Sequence, residues 1–291
     1  MLTIAAATGA DAMNWWQALV LGIVEGLTEY LPVSSTGHLL LVQRLFGIGE
    51  SEASDAFAIC IQAGAIAAVL GLYRQRIVQM WAGVRGQNPA GRALAVNLVA
   101  AFVPAAVLGF LLQKVVKKYL FGGDAWGMWP VVAAWFVGGV AILAVNVYRR
   151  RRQETDRARF DLEGLTVRMS LVIGVSQCLA LWPGTSRSLV TIVGGILVGL
   201  RMRAAVEFSF LLGLLTLGAA TSYDALKHGR EMLEAYGLGS LALGFAAAWL
   251  SAVLAVKWMV AYLNRHGLEI FGWYRIALAL GVTAWLLLAG R

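Results

Sequence analysis

Charge is what this chain has least of. Only 14% of its 291 residues are Asp, Glu, Lys or Arg, against 59% hydrophobic, and the mean hydropathy is +0.72. So few charges cannot cover a soluble domain of this length, which excludes that class and leaves a polytopic membrane protein. Cysteine is nearly absent. Cys60 and Cys178 each lie inside an apolar run, with no CxxC or Cys/His spacing, so they read as packing residues and not as a disulfide or a metal site. The first twelve residues contain no Lys or Arg, so a secretory signal with a basic head is not expected, and Met13 is an alternative natural start. The formal net charge of +8 would suit nucleic acid, but the basic residues sit in short connections without an aromatic-basic stacking pattern. They are read as topology signals.

What the chain has in abundance is apolar runs long enough to cross about 30 Å of hydrocarbon. Six occur, near 54–73, 93–113, 129–148, 204–224, 238–262 and 271–289. Two further regions, 14–46 and 167–200, are interrupted in the middle by Pro, Ser and Thr. Half-length helices around a polar turn predict re-entrant helix-loop-helix segments, each entering and leaving on one side. The broken regions are offset by 152 residues from Gly22 to Gly174 and by 151 from Pro32 to Pro183, and three full spans follow each. An odd number of crossings per copy forces inverted topology. The expectation is an all-α polytopic membrane protein in one integral membrane domain, residues 1–291. It has six transmembrane helices and two re-entrant segments arranged as inverted-topology repeats, 14–148 and 167–290, joined by a basic cytoplasmic linker at 149–166.

Charge asymmetry orients it. Sixteen basic residues fall on one side: Arg74, Arg76, Arg85, Arg92, Arg149 to Arg152, Arg157, Arg159, Arg168, Arg201, Arg203, Lys257, Arg265 and Arg275. Seven fall on the other, Arg44, Lys114, Lys117, Lys118, Lys227, Arg230 and Arg291. The positive-inside rule makes the first side cytoplasmic, so the first broken region opens outward and the second enters from the cytoplasm.

The broken regions carry the chemistry: Glu25-Gly-Leu-Thr-Glu29-Tyr-Leu-Pro32-Val-Ser34-Ser35-Thr36-Gly37-His38, and Pro183-Gly184-Thr185-Ser186-Arg187-Ser188. Ionisable groups inside a membrane cost roughly 2.5–3.5 kcal/mol each on insertion scales and are functional candidates by default. Glu25 and Glu29 stand one helical turn apart on one face. Such a pair can hold a hard divalent cation, or raise one acid's pKa so that it works as a base, or simply cap a helix near the interface. Three consecutive hydroxyls at a helix start form an anion site, and His38 lies one turn on, as acid, base or a satisfied core histidine. Arg187 needs an anionic partner. That partner is a phosphate, which its planar fork fits, or Glu25 or Glu29 across the repeat interface, and both can hold, the acid without substrate and the phosphate with it. Inverted symmetry brings both short-helix N-termini to one point, a cavity suited to a multiply charged anion such as a diphosphate on a lipid tail. Glu207 is a further intramembrane acid, with Arg201 and Arg203 nearby as solvated partners.

The first motif through Leu39 closely resembles the first signature of the bacterial undecaprenyl-diphosphate phosphatase family, also called the bacitracin-resistance protein family. Pro183 to Ser188 resembles its second, and Glu207-Phe208-Ser209-Phe210-Leu211-Leu212 a further segment. The match runs over nearly the whole chain in order and spacing. Two departures occur: Leu189-Val190 where the family usually has Gly-Ala, and Gly213-Leu214-Leu215 where a proline is common. The resemblance implies a multi-pass enzyme of the bacterial inner membrane with its site facing the periplasm. It would hydrolyse undecaprenyl diphosphate to undecaprenyl phosphate and inorganic phosphate, recycling the carrier for peptidoglycan and conferring bacitracin resistance. It implies a divalent cation, Mg2+ or Ca2+, on Glu25 and Glu29. Ser35, His38, Glu29 and Arg187 would be catalytic, and Ser34, Thr36, Ser186, Thr191 and Arg187 would bind substrate. Expected partners are the lipid diphosphate, membrane lipids and a second copy in a homodimer, without nucleic acid.

Ser35 is expected as nucleophile, with His38 or Glu29 taking its proton; attack by metal-bound water needs the same neighbours. The competing class is a lipid transporter, since broken helices in inverted repeats also build alternating access. A structural subunit, to which Glu29 and Arg187 would not matter, ranks last.

Overall fold

The structure, a computed structural model, describes residues 13–48, 52–120, 127–153, 160–263 and 265–288. Met1, Arg157, Arg159 and Arg291 lie outside the described residues, as do the side chains of Lys114, Lys117, Lys118, Arg149 to Arg152 and Arg230.

Ten α-helices account for almost all of the described chain: α1 (Trp15–Thr28), α2 (Ser35–Leu45), α3 (Glu52–Leu72), α4 (Arg74–Val84), α5 (Pro89–Leu120), α6 (Trp129–Gln153), α7 (Val167–Gln177), α8 (Arg187–Leu197), α9 (Met202–Leu263) and α10 (Glu269–Leu288). Among the described residues there is no strand, only a single parallel bridge between Phe160 and Leu200. Five stretches are long and apolar enough to span: Pro89–Leu112, Trp129–Tyr148, Met202–Lys227, Gly237–Leu263 and Glu269–Leu288. At about 1.5 Å per residue each covers about 30 Å or more, the thickness of the hydrocarbon. The sixth is Phe57–Leu72, which bends by 75° into α4. The protein is all-α and multi-pass, as the composition required.

Both broken regions are helix-turn-helix hairpins. In the first, the Trp16 ring lies 4.8 Å from that of Phe46, so the start of α1 meets the end of α2. In the second, Phe160 before α7 pairs with Leu200 after α8, and its carbonyl accepts from Arg201 N at 3.1 Å. The copies agree in detail. α2 and α8 are both 11 residues long and begin 152 residues apart, and each follows a serine held at positive φ, Ser34 at 75° and Ser186 at 78°. Non-glycine residues rarely adopt that conformation, and its appearance at equivalent positions marks a turn imposed by the surroundings.

The hairpins are interlocked with the opposite half. α1 packs on α9 so closely that a Cβ at Gly22 would lie 2.4 Å from the Gly244 carbonyl oxygen, and one at Gly26 would lie 2.1 Å from Ser251 Oγ. α7 packs on α5, where a Cβ at Gly174 would meet Ala101 O at 2.4 Å. Small residues at these crossings let helix backbones touch, which is how helices associate where lipid removes the hydrophobic drive.

Two features depart from the sequence reading, the turn after Leu72 and the burial of Arg275, and two more add to it. The chain after Leu72 turns into α4 instead of a loop. The expected spans at 204–224 and 238–262 are there as Met202–Lys227 and Gly237–Leu263; hydrogen bonding runs on between them within α9, and the kink falls at Gly237, whose φ of 68° and ψ of 158° are not helical. Part of the 149–166 linker is ordered, since α6 runs to Gln153 and a 3-10 turn covers Leu162–Gly164. Arg275, counted as a cytoplasmic surface charge, is completely buried.

Candidate active site

Where the two polar turns meet, they enclose a cavity of about 160 Å³ lined by Glu29, Ser34, Ser35, Thr36, Ser186 and Arg187, with Gln62, Trp182 and Leu217 on its wall. At its centre is Glu29. Ser35 Oγ donates to Glu29 Oε2 at 2.5 Å, and Arg187 Nη2 donates to Glu29 Oε1 at 3.0 Å. The carboxylate thus joins the hydroxyl of one copy to the guanidinium of the other. Of the two partners expected for Arg187, the protein itself supplies Glu29.

Arg187 is further held by a hydrogen bond to the Ser209 carbonyl at 3.0 Å and by the Tyr30 ring, whose centroid lies 5.4 Å from the guanidinium carbon. A Cβ at Gly213 would lie 2.4 Å from Arg187 Nη1, so this position of α9 makes the room that the guanidinium fills. Its Nε is buried with no partner. A charged donor left unpaired inside a protein is costly, and here it marks capacity for an additional acceptor.

The turns are tied to each other. Ser188 Oγ donates to the Leu31 carbonyl at 2.8 Å, and Ser186 Oγ lies 2.9 Å from Ser188 Oγ while accepting from Leu189 N. Thr191 does not line the cavity. It donates to the Arg187 carbonyl and contacts Ser209 Oγ at 2.7 Å, holding the first turn of α8 from behind.

His38 is the sequence-predicted residue that the structure keeps apart from the cluster. A carbonyl only accepts, so the contact between His38 Nδ1 and Ser34 O at 2.7 Å puts the proton on Nδ1. Nε2, 2.7 Å from Tyr274 Oη, then accepts from the phenol. The ring also stacks on Tyr274 and meets the edge of Trp135. Of the two bases expected for Ser35, the hydroxyl meets Glu29 and not His38.

Glu207 likewise lies elsewhere. Its partner is neither Arg201 nor Arg203 but Arg76, whose Nε donates to it at 2.7 Å, tying α4 to α9. Cys60 and Cys178 are free thiols.

The pair on α1 bears on the expected cation. Glu25 lies one helical turn before Glu29 on α1, it is almost fully buried, and its Oε2 has no partner. Among the described residues there is no group of three or more His, Cys, Asp or Glu side chains that would ligate a metal alone. Two carboxylates and a hydroxyl, with one orphaned acceptor oxygen, nonetheless form the oxygen-rich donor set that hard divalent ions take, usually keeping some water or substrate oxygens. The residues fit the ion.

Sequence reasoning missed Tyr30, Gln62, Ser209 and Arg275. Tyr30 stood inside the first motif unremarked, and Arg275 offered the signal of a charge within an apolar span.

Comparison with known proteins gives the family. The family model described as bacitracin resistance protein BacA matches residues 18–281. A Sorangium cellulosum protein named undecaprenyl-diphosphatase is 46% identical over 275 residues, covering 94% of this chain and 87% of that protein. Undecaprenyl-diphosphatase 2 of Rhodospirillum rubrum is 44% identical over 94% of this chain and 97% of its own. An Aquifex aeolicus protein named undecaprenyl-diphosphatase is 39% identical over 94% of this chain and its entire length. The matches run through both turns and the spans between them, and this chain belongs to the bacitracin resistance protein BacA family.

Proposed function

We propose that this chain is the undecaprenyl-diphosphate phosphatase of its cell, hydrolysing the lipid diphosphate to undecaprenyl phosphate and inorganic phosphate and so returning the carrier to cell-wall synthesis. The observation that carries the reading is the chain of contacts from Ser35 through Glu29 to Arg187 at the junction of the turns. Binding alone would need the arginine and the helix N-termini. A hydroxyl aligned on a buried carboxylate is the equipment of group transfer.

In this reading Arg187 and the free N–H groups in the first turns of α2 and α8 hold the terminal phosphate. Ser35 Oγ attacks its phosphorus as Glu29 takes the hydroxyl proton. The bridging P–O bond breaks, undecaprenyl phosphate leaves, and Ser35 is left phosphorylated. Glu29 passes its proton to the departing undecaprenyl phosphate and is a carboxylate again; water then attacks the phosphoserine as Glu29 takes its proton and returns it to Ser35 Oγ, releasing inorganic phosphate and restoring the hydroxyl. Such transfers need mainly positioning and charge stabilisation. Glu25 and Glu29 would hold Mg2+ or Ca2+, which when bound neutralises charge on the phosphates. Ser34, Thr36 and Ser186 line the anion's seat, Thr191 supports Arg187, and His38 orders the first turn. Direct attack by water without the serine is the second route, and it uses the same neighbours.

Placed in the bacterial inner membrane as inverted repeats, with the basic ends of the spans in the cytoplasm, the first hairpin and the cavity would open to the periplasm. Arg275 has left the surface count, and the remaining charges keep the same bias. A second copy of the chain is the further partner, as a homodimer.

The test is inorganic phosphate release from a C55 prenyl diphosphate by the purified protein in detergent, with Mg2+ or with chelator. Metal-dependent release, lost in Glu29→Gln and Arg187→Ala, is expected. No release by folded wild type would move the reading to a lipid transporter that binds the same headgroup.

A further inference from the structure

Arg275, on α10, belongs to neither motif and is completely buried. A buried guanidinium ordinarily answers to a carboxylate, but among the described residues this one meets none. Its donors go to four backbone carbonyls instead. Two are on α6, Trp135 O at 3.3 Å and Ala134 O at 2.8 Å. The other two are in the polar turns, Pro32 O at 3.3 Å and Gly184 O at 2.9 Å.

The last two carbonyls are equivalents. Pro32 and Gly184 are 152 residues apart, the offset that also relates Ser34 to Ser186, and each lies two residues before its positive-φ serine. One fork therefore grips the same atom in both copies of the turn. The seat is made for it: a Cβ at Gly138 of α6 would lie 2.3 Å from Arg275 Nη2. Only arginine offers five donors in a planar array that stays protonated; lysine concentrates its donors on one nitrogen. The adjacent residue of α10, Tyr274, holds His38 just beyond the first turn, so two neighbouring side chains brace the same structure.

We infer that Arg275 is a positioning residue that fixes the separation and register of the two turns, and through them the alignment of Ser35, Glu29 and Arg187. It touches no lining atom of the cavity other than backbone. Its effect on turnover rests on the function proposed above; its effect on the turns does not.

The test pairs kinetics with amide hydrogen exchange on Arg275→Lys, Arg275→Gln and wild type. We expect kcat to fall about tenfold or more with KM within about threefold, Lys retaining more activity than Gln because a cation can still bond some of the carbonyls. Exchange should speed up by about tenfold in peptides spanning the two turns while α3 and α5 keep wild-type protection. Unchanged turns, or exchange rising equally throughout with kcat per folded molecule intact, would overturn the inference and leave Arg275 a general support. Should neither variant fold, Gly138→Ala, which crowds the guanidinium without removing it, decides by the same turn-specific signature. A wild type that releases no phosphate while the turns still loosen in the variants would sink the enzyme reading and leave the positioning role standing.

Discussion

At the scale of single residues, the buried pair of Arg187 and Glu29 makes the sharpest demand. Both side chains are nearly inaccessible, and removing one partner of such a pair typically costs roughly 3–5 kcal/mol because the other charge is left behind. Arg187→Ala should therefore lower the unfolding midpoint as well as activity, and adding Glu29→Gln should recover part of that stability. A double-mutant cycle by thermal unfolding checks this, and strict additivity would mean that the pair is not coupled. Removing the divalent cation makes a separate prediction. Chelator should abolish phosphate release and Mg2+ should restore it, whereas Glu25→Gln, lacking the orphaned carboxylate oxygen, should need more Mg2+ for half-maximal rate. Glu25, Glu29, Ser35 and Arg187 were legible in the sequence because polar groups stand out against an apolar chain. Tyr30 and Gln62 were not, since such residues are ordinary near membrane interfaces. The part taken by His38 depended on which atoms its two ring nitrogens meet, and no spacing encodes that.

At the scale of elements, the crossing of α1 on α9 is set by two glycines. Gly26→Ala would drive a methyl group against Ser251 Oγ and the Ala248 carbonyl, at 2.1 and 2.2 Å. Overpacking of this kind costs about 1–3 kcal/mol. Detergent-resistant unfolding should show it as a lower midpoint, with turnover reduced because α1 carries Glu25; a midpoint equal to wild type would mean that the helices part without cost. The hairpins could be read from Pro and hydroxyl breaks in otherwise apolar runs, and the repeat from the offset. The 75° bend between α3 and α4 could not, because Tyr73 lacks the Pro or Gly that announces such a turn. The two spans of α9 were legible as apolar runs, and the kink between them falls at a glycine, Gly237.

At the scale of the molecule, two interlocked halves place the N-termini of α2 and α8 at one cavity, and each half supplies what the other lacks. The first brings Ser35 and the carboxylates, the second the arginine. Arg275 explains how they stay together. Its position seven residues into an apolar helix suited a cytoplasmic end as well as an interior, and only the carbonyls around it distinguish the two. The inverted arrangement proposed above predicts that Arg44→Cys reacts with a membrane-impermeant maleimide added outside intact cells, and Gln87→Cys only after the membrane is opened; the same accessibility for both would contradict the proposal. The central claim is that chemistry occurs where the halves meet. Its most direct test is the rate of phosphate release from saturating C55 prenyl diphosphate by Ser35→Ala, with a wild-type unfolding midpoint as proof of fold. The account predicts a fall on the order of a thousandfold. A rate within about tenfold of wild type would contradict the serine as nucleophile and return the chemistry to water.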